Sequence, residues 1–142
     1  MSDPNRSAYF VHLIFVLMSA IVILTSFVLK ADDRTGILIP GSTRSMPPMC
    51  TSRVIFGMDC PGCGMTRAFI AISHGRFARA WELNRASFLV YAFVLVQIPW
   101  HTLQAIRVRR GRPPIDWFAI YFIPLGLAMV LVLNWMLRMA GW

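Results

Sequence analysis

The chain has 142 residues, of which 57% are hydrophobic and only 14% charged. Soluble domains run nearer about 45–50% and about 25%, so this composition excludes an ordinary water-soluble fold, and the length argues for one membrane domain over residues 1–142. The formal charge of +8 comes from 14 basic residues against 6 acids; its arginines flank apolar runs rather than forming a separate basic tract, which points to lipid headgroups and topology and away from nucleic acid.

Residues 8–29 form the first apolar stretch, about 22 residues long and enough to cross a ~30 Å hydrocarbon core as a helix. It exceeds a signal-peptide core, and no small-x-small cleavage pattern precedes Lys30-Ala31-Asp32-Asp33, so a retained span is expected. His12, Ser19 and Ser26 recur every seven residues and share a face. Such a stripe is expected to pack against another helix; the sharper reading makes His12 a ligand or proton carrier near the membrane surface.

Residues 30–85 form a connector. Its first half is rich in turn-formers, among them Gly36, Pro40-Gly41, Pro47-Pro48 and Gly57. Residues 37–40 could be extended, but no strand pairing is evident. Then comes Met58-Asp59-Cys60-Pro61-Gly62-Cys63-Gly64-Met65-Thr66-Arg67, a turn that holds two of the three cysteines. Beyond it, Pro61, Gly64 and Thr66 fit a helix start, predicting a helix over Met65–Ser73. Gly75 fits its C-terminal cap, and a second short helix is expected over Arg76–Leu83. The apolar positions of the pair do not fall on one clean stripe, so both read as interfacial or re-entrant helices whose arginines reach headgroups.

The second span is predicted at 86–106, with Pro99 inside it; such prolines are tolerated in membrane helices. Gln97, His101 and Gln104 stand at i, i+4 and i+7, one polar stripe that suits interhelical hydrogen bonding or, less blandly, a polar pathway. Arg107, Arg109, Arg110 and Arg112 follow, closed by Pro113-Pro114. The third span is predicted at 115–137, with Trp117 and Trp135 at its ends and Asn134 as its strongly polar member. The fold class is therefore an all-α membrane protein with three transmembrane helices plus two short helices after a cysteine turn. The short arginine loop between spans two and three is expected in the cytoplasm. That puts the amino terminus inside and the cysteine region outside, although Arg44, Arg53, Arg67, Arg76, Arg79 and Arg85 pull the other way.

Two cysteines separated by two residues present their sulfurs to one point, and three chemistries use that arrangement. A metal knuckle would hold zinc through Cys50, Cys60 and Cys63, with His74 as a fourth ligand or a second copy of the chain completing the site. A dithiol pair would set Cys63 beside a helix N-terminus and Arg67, with Cys50 as resolving partner. The pattern is Cys-Pro-Gly-Cys rather than Cys-Gly-Pro-Cys, and no βαβ pattern surrounds it. In the structural reading the turn aims the next helix while Thr66 and Arg67 grip a phosphate or carboxylate. His74 beside Gly75 also suits a helix end, and Glu82 lacks a partner acid at a predictable distance. No Ser-His-Asp arrangement or phosphate-binding glycine loop appears.

Pro48-x-Cys50, followed by Gly57-x-x-Cys60-Pro61-Gly62-Cys63-Gly64-Met65-Thr66-Arg67-Ala68 and continuing through Gly75 and Ala80 to Asn84, resembles the signature of the bacterial membrane-protein family catalogued as domain of unknown function 2752. The likeness covers roughly a third of the chain and departs at Arg85, where the family carries proline. It implies a small integral protein of the bacterial inner membrane and directs interest to Cys50, Cys60, Cys63, Thr66 and Arg67. It implies no activity. The expected function is a non-enzymatic accessory or interaction module whose turn binds a partner, a lipid headgroup or a metal, the partner being another membrane protein or a second copy. The alternative is a membrane thiol-disulfide oxidoreductase using Cys60 and Cys63.

Overall fold

The computed structural model describes residues 4–32, 36–38, 55, 60–113, 115 and 119–140. In chain order the described elements are helix α1 (Pro4–Val28), strands β1 (Lys30–Asp32) and β2 (Gly36–Leu38), the short helices α2 (Met65–Ser73) and α3 (Phe77–Leu83), and the long helices α4 (Ser87–Arg109) and α5 (Ala119–Met139). Three of them are long and apolar enough to cross a membrane, over Arg6–Val28, Ser87–Arg109 and Phe122–Met139. The chain is thus an integral membrane protein with two short helices set between its first two described spans and its cysteine turn just ahead of them.

Each span follows from a predominantly apolar run whose backbone groups are satisfied within the helix, as hydrocarbon demands. The second span continues one turn past its expected end, to Arg109, because the arginines are compatible with a helix C-terminus. Pro99 and Pro124 lie inside α4 and α5. Helix α5 begins at Ala119; Trp117 and Asp116 lie outside the described residues. β1 and β2 pair antiparallel, Lys30 opposite Leu38 and Asp32 opposite Gly36. This pairing was not legible, since three-residue strands carry no measurable alternation.

α1 and α4 pack along their length, joined by the two polar stripes. His12 Nδ1 meets His101 Nδ1 at 2.9 Å, so one ring donates and the other accepts. One helical stretch deeper, Ser19 donates to the Gln97 carbonyl oxygen at 3.1 Å. At the far end Ser26 lies 2.6 Å from Ser73, and Ser73 lies 2.9 Å from the Tyr91 hydroxyl. Ser26 spends its only proton on the Ile23 carbonyl, 2.7 Å away. Ser73 must then donate to Ser26, and Tyr91 to Ser73. Gln104 leaves this stripe. Its amide donates to the Ile115 carbonyl at 2.9 Å and accepts from the Ile115 N–H at 3.0 Å, closing the arginine loop.

The seam fixes the layout of the two ends. The amino-terminal end of α1 and the arginine loop share one end of the bundle; the carboxyl end of α1, the start of α4 and helices α2 and α3 share the other. α2 packs Phe69 with Ile23 and Tyr91, the two rings meeting edge to face at 5.1 Å. Ala68, Ala71 and Ala80 bury the contact between α2 and α3. Small side chains there let the two backbones approach closely.

Candidate functional site

The Cys60–Gly64 turn is built by short-range backbone bonds. The Cys63 N–H donates to the Cys60 carbonyl at 2.9 Å and the Met65 N–H to the Gly62 carbonyl at 3.0 Å. Gly64 has φ 84° and is the N-cap of α2, without a side-chain cap. A left-handed backbone costs an L-residue roughly 1–2 kcal/mol. Here it is compounded, because a Cβ on Gly64 would lie 2.8 Å from the Leu83 carbonyl oxygen. Glycine is required at this position by two independent constraints.

That close approach exists because the turn is seated on the corner between α3 and α4. Asn84, 1% exposed, makes the joint. Its Nδ2 donates to the Pro61 and Cys63 carbonyls, each at 3.3 Å. Its Oδ1 accepts from the Ala86 N–H at 3.1 Å and from Asn134 Nδ2 at 3.0 Å. Both donors and both acceptor positions of the amide are used, as burial of so polar a group demands. The Asn84–Ala86 bond also turns the chain into α4 with Arg85, not proline, at the intervening position.

α5 closes the joint from the other side. Besides the Asn134 bond, the Arg138 guanidinium donates to the Leu83 carbonyl at 3.1 Å and, more weakly, to the Cys63 carbonyl at 3.5 Å. Two segments far apart in sequence, the α3–α4 corner and the end of α5, thus converge on one turn at the boundary of the spans. Asn134 and Arg138 were not singled out for this role. The signal that could have found them is that Asn134 is a strongly polar residue stranded near the end of an apolar span.

Within the turn the Cys60 and Cys63 sulfurs stand 3.1 Å apart, and the Cys60 N–H points to the Cys63 sulfur at 3.1 Å. Both side chains are half-buried. Disulfide bonding needs about 2.05 Å, and two thiolates on a tetrahedral zinc at about 2.3 Å each stand roughly 3.8 Å apart. The observed separation lies between these limits. Thr66 is exposed and Arg67 half-buried, both on the first turn of α2.

The remaining candidates fall elsewhere. His74 sits at the opposite end of α2, its Nδ1 2.8 Å from the Ile70 carbonyl, as a helix-end residue. The structure therefore does not bring it to the sulfurs. Cys50 lies outside the described residues. Among the described residues no group of three or more His, Cys, Asp or Glu side chains converges on a point. Glu82 pairs with Arg79 at 2.8 Å on the surface of α3.

The turn and the asparagine that clasps it both fall within a stretch similar to a known sequence family. Residues 50–98 match the family described as Protein of unknown function (DUF2752). The DUF2752 segment runs from Cys50 through the turn, α2, α3 and the first half of α4, roughly a third of the chain. It includes Asn84 and excludes α5, so Asn134 and Arg138 lie beyond the matched residues. No curated protein and no solved structure matches the chain.

Proposed function

We propose that this protein is a non-enzymatic accessory module of the bacterial inner membrane whose Cys60–Arg67 turn docks a second membrane protein. The carrying observation is the clasp. Asn84 holds the turn's carbonyls while its own oxygen is held by Asn134, so the backbone is preorganised and Thr66 projects from it. Preorganisation lowers the ordering cost of association. On this reading the short arginine loop lies in the cytoplasm and the turn faces outward. The opposing arginines of the connector count for less because long segments translocate largely regardless of charge.

The 3.1 Å sulfur separation favours one second reading, a thiol-disulfide oxidoreductase. One cysteine thiolate would attack a substrate disulfide, releasing one substrate sulfur as thiolate. The other cysteine would then displace the second, leaving a Cys60–Cys63 disulfide and a reduced substrate.

One experiment separates the two. A photo-crosslinking residue at position 66 is introduced in native membranes, with and without Cys63→Ser. Docking predicts one discrete protein adduct that survives Cys63→Ser and disappears with Gly64→Ala. Lipid adducts alone would contradict docking. In a Cys60→Ser chain, where Cys63 keeps its attacking thiolate but loses the neighbouring thiol that would release the substrate, an adduct that forms without light and is released by dithiothreitol would establish the redox reading instead.

A further inference from the structure

The corner that holds the cysteine turn carries a second feature with no part in the clasp. α3 buries Ala80 completely against α2, while Phe77 and Trp81, one helical turn apart on the same helix, stay exposed. Both are more than half exposed, 57% and 55%. They lean on Phe88, with ring centroids at 6.3 and 5.9 Å, and Phe88 is the second residue of the α4 span. The Arg85 guanidinium lies 5.8 Å from the centre of the Trp81 ring. The row Phe77, Trp81, Arg85 thus runs from apolar to charged at the level where a span leaves the hydrocarbon.

In water a patch of this kind leaves aromatic surface unburied at about 25 cal/mol per Å². At a membrane boundary it has a ready occupant, because amphipathic rings with a cation above them match the headgroup layer. Charge selects which headgroup. Residues 76–85 carry three arginines, at 76, 79 and 85, against the single acid Glu82. The excess is positive.

We infer that the α3 corner, Phe77, Trp81 and Arg85 packed on Phe88, is a binding site for an anionic phospholipid, with the acyl-glycerol region against the rings and the phosphate at Arg85. This site is distinct from the turn that Thr66 presents. It stands whether or not a protein docks there.

The test uses the full chain with Trp100, Trp117, Trp135 and Trp142 replaced by phenylalanine, leaving Trp81 as sole fluorophore. It is reconstituted in mixtures of brominated phosphatidylglycerol and unlabelled phosphatidylcholine, and the reverse, and quenching gives the relative association constant at Trp81. The inference predicts quenching by lipid, a constant for phosphatidylglycerol several-fold above that for phosphatidylcholine, and a fall of about fivefold in Arg85→Gln. Arg112→Gln, at the other end of the bundle, should leave the ratio unchanged. Absence of quenching would mean that protein covers Trp81 and would overturn the site. A ratio near one, or an equal fall in Arg112→Gln, would overturn its selectivity for anions. If the substituted background fails to fold, phospholipid retained by the unaltered chain and by Arg85→Gln through detergent exchange reads the same preference.

Discussion

At the scale of single residues, Asn84 and Gly64 are two halves of one contact. Gly64 lets the turn come within van der Waals reach of Leu83, and Asn84 then bonds the carbonyls that this approach buries. Replacing Asn84 with leucine leaves the Pro61 and Cys63 carbonyls, the Ala86 N–H and the Asn134 amide short of a partner. Each unsatisfied buried group costs about 1–3 kcal/mol. Reversible unfolding in mixed micelles should therefore show Asn84→Leu destabilised by at least ~2 kcal/mol, with Gly64→Ala comparable. The double variant should cost less than the sum of the two, because both remove the same docking. Additive losses would show that the two residues act separately. That Gly64 stands at the start of a helix was legible from the sequence; its positive φ and its approach to Leu83 were not. The partner of Asn84 was not, since its bonds reach 23 residues back and 50 residues forward, beyond any local pattern.

At the scale of elements, helices were easier to read than strands or polar pairings. The helix Met65–Ser73 was delimited by Gly64 and Gly75, both of which adopt positive φ in the structure. The β1–β2 pair escaped because three residues are too few for alternation to register. The polar stripes of α1 and α4 each announced a face. Which residues would meet could not be read, because their register depends on how two helices cross, and Gln104 turned to the loop instead. The seam should contribute modestly: interhelical hydrogen bonds in membranes average about 0.6 kcal/mol and reach about 1.7 kcal/mol. A double-mutant cycle on His12→Leu and His101→Leu is expected to give a coupling within that range, with the double variant close to wild type. No coupling would mean that the 2.9 Å contact is incidental to packing.

At the scale of the whole molecule, α1 and α4 form a paired frame, α2 and α3 fill one end of it, and α5 stands apart. None of the span Phe122–Met139 is buried within the chain. α5 reaches the frame through Asn134 and Arg138 near its carboxyl end, and both land on the cysteine corner. The composition foretold three spans because hydrocarbon admits few alternatives. It could not foretell that polar side chains of the third would reach the turn and its corner. This arrangement makes the corner the point where the third span is tied to the start of the second, at the end of the bundle opposite the arginine loop.

That placement is tested most directly by thiol labelling from the two faces of sealed membranes. Cys50 is replaced by serine, leaving Cys60 and Cys63; a companion chain lacks all three native cysteines and carries Arg110→Cys in the arginine loop. Each is exposed to a membrane-impermeant maleimide in right-side-out and inverted vesicles. The account predicts that Cys60 and Cys63 react from one face without detergent, and that the thiol at position 110 reacts only from the other. Labelling of both sites from the same face, or a cysteine turn that reacts from neither face until the bilayer is dissolved, would contradict it.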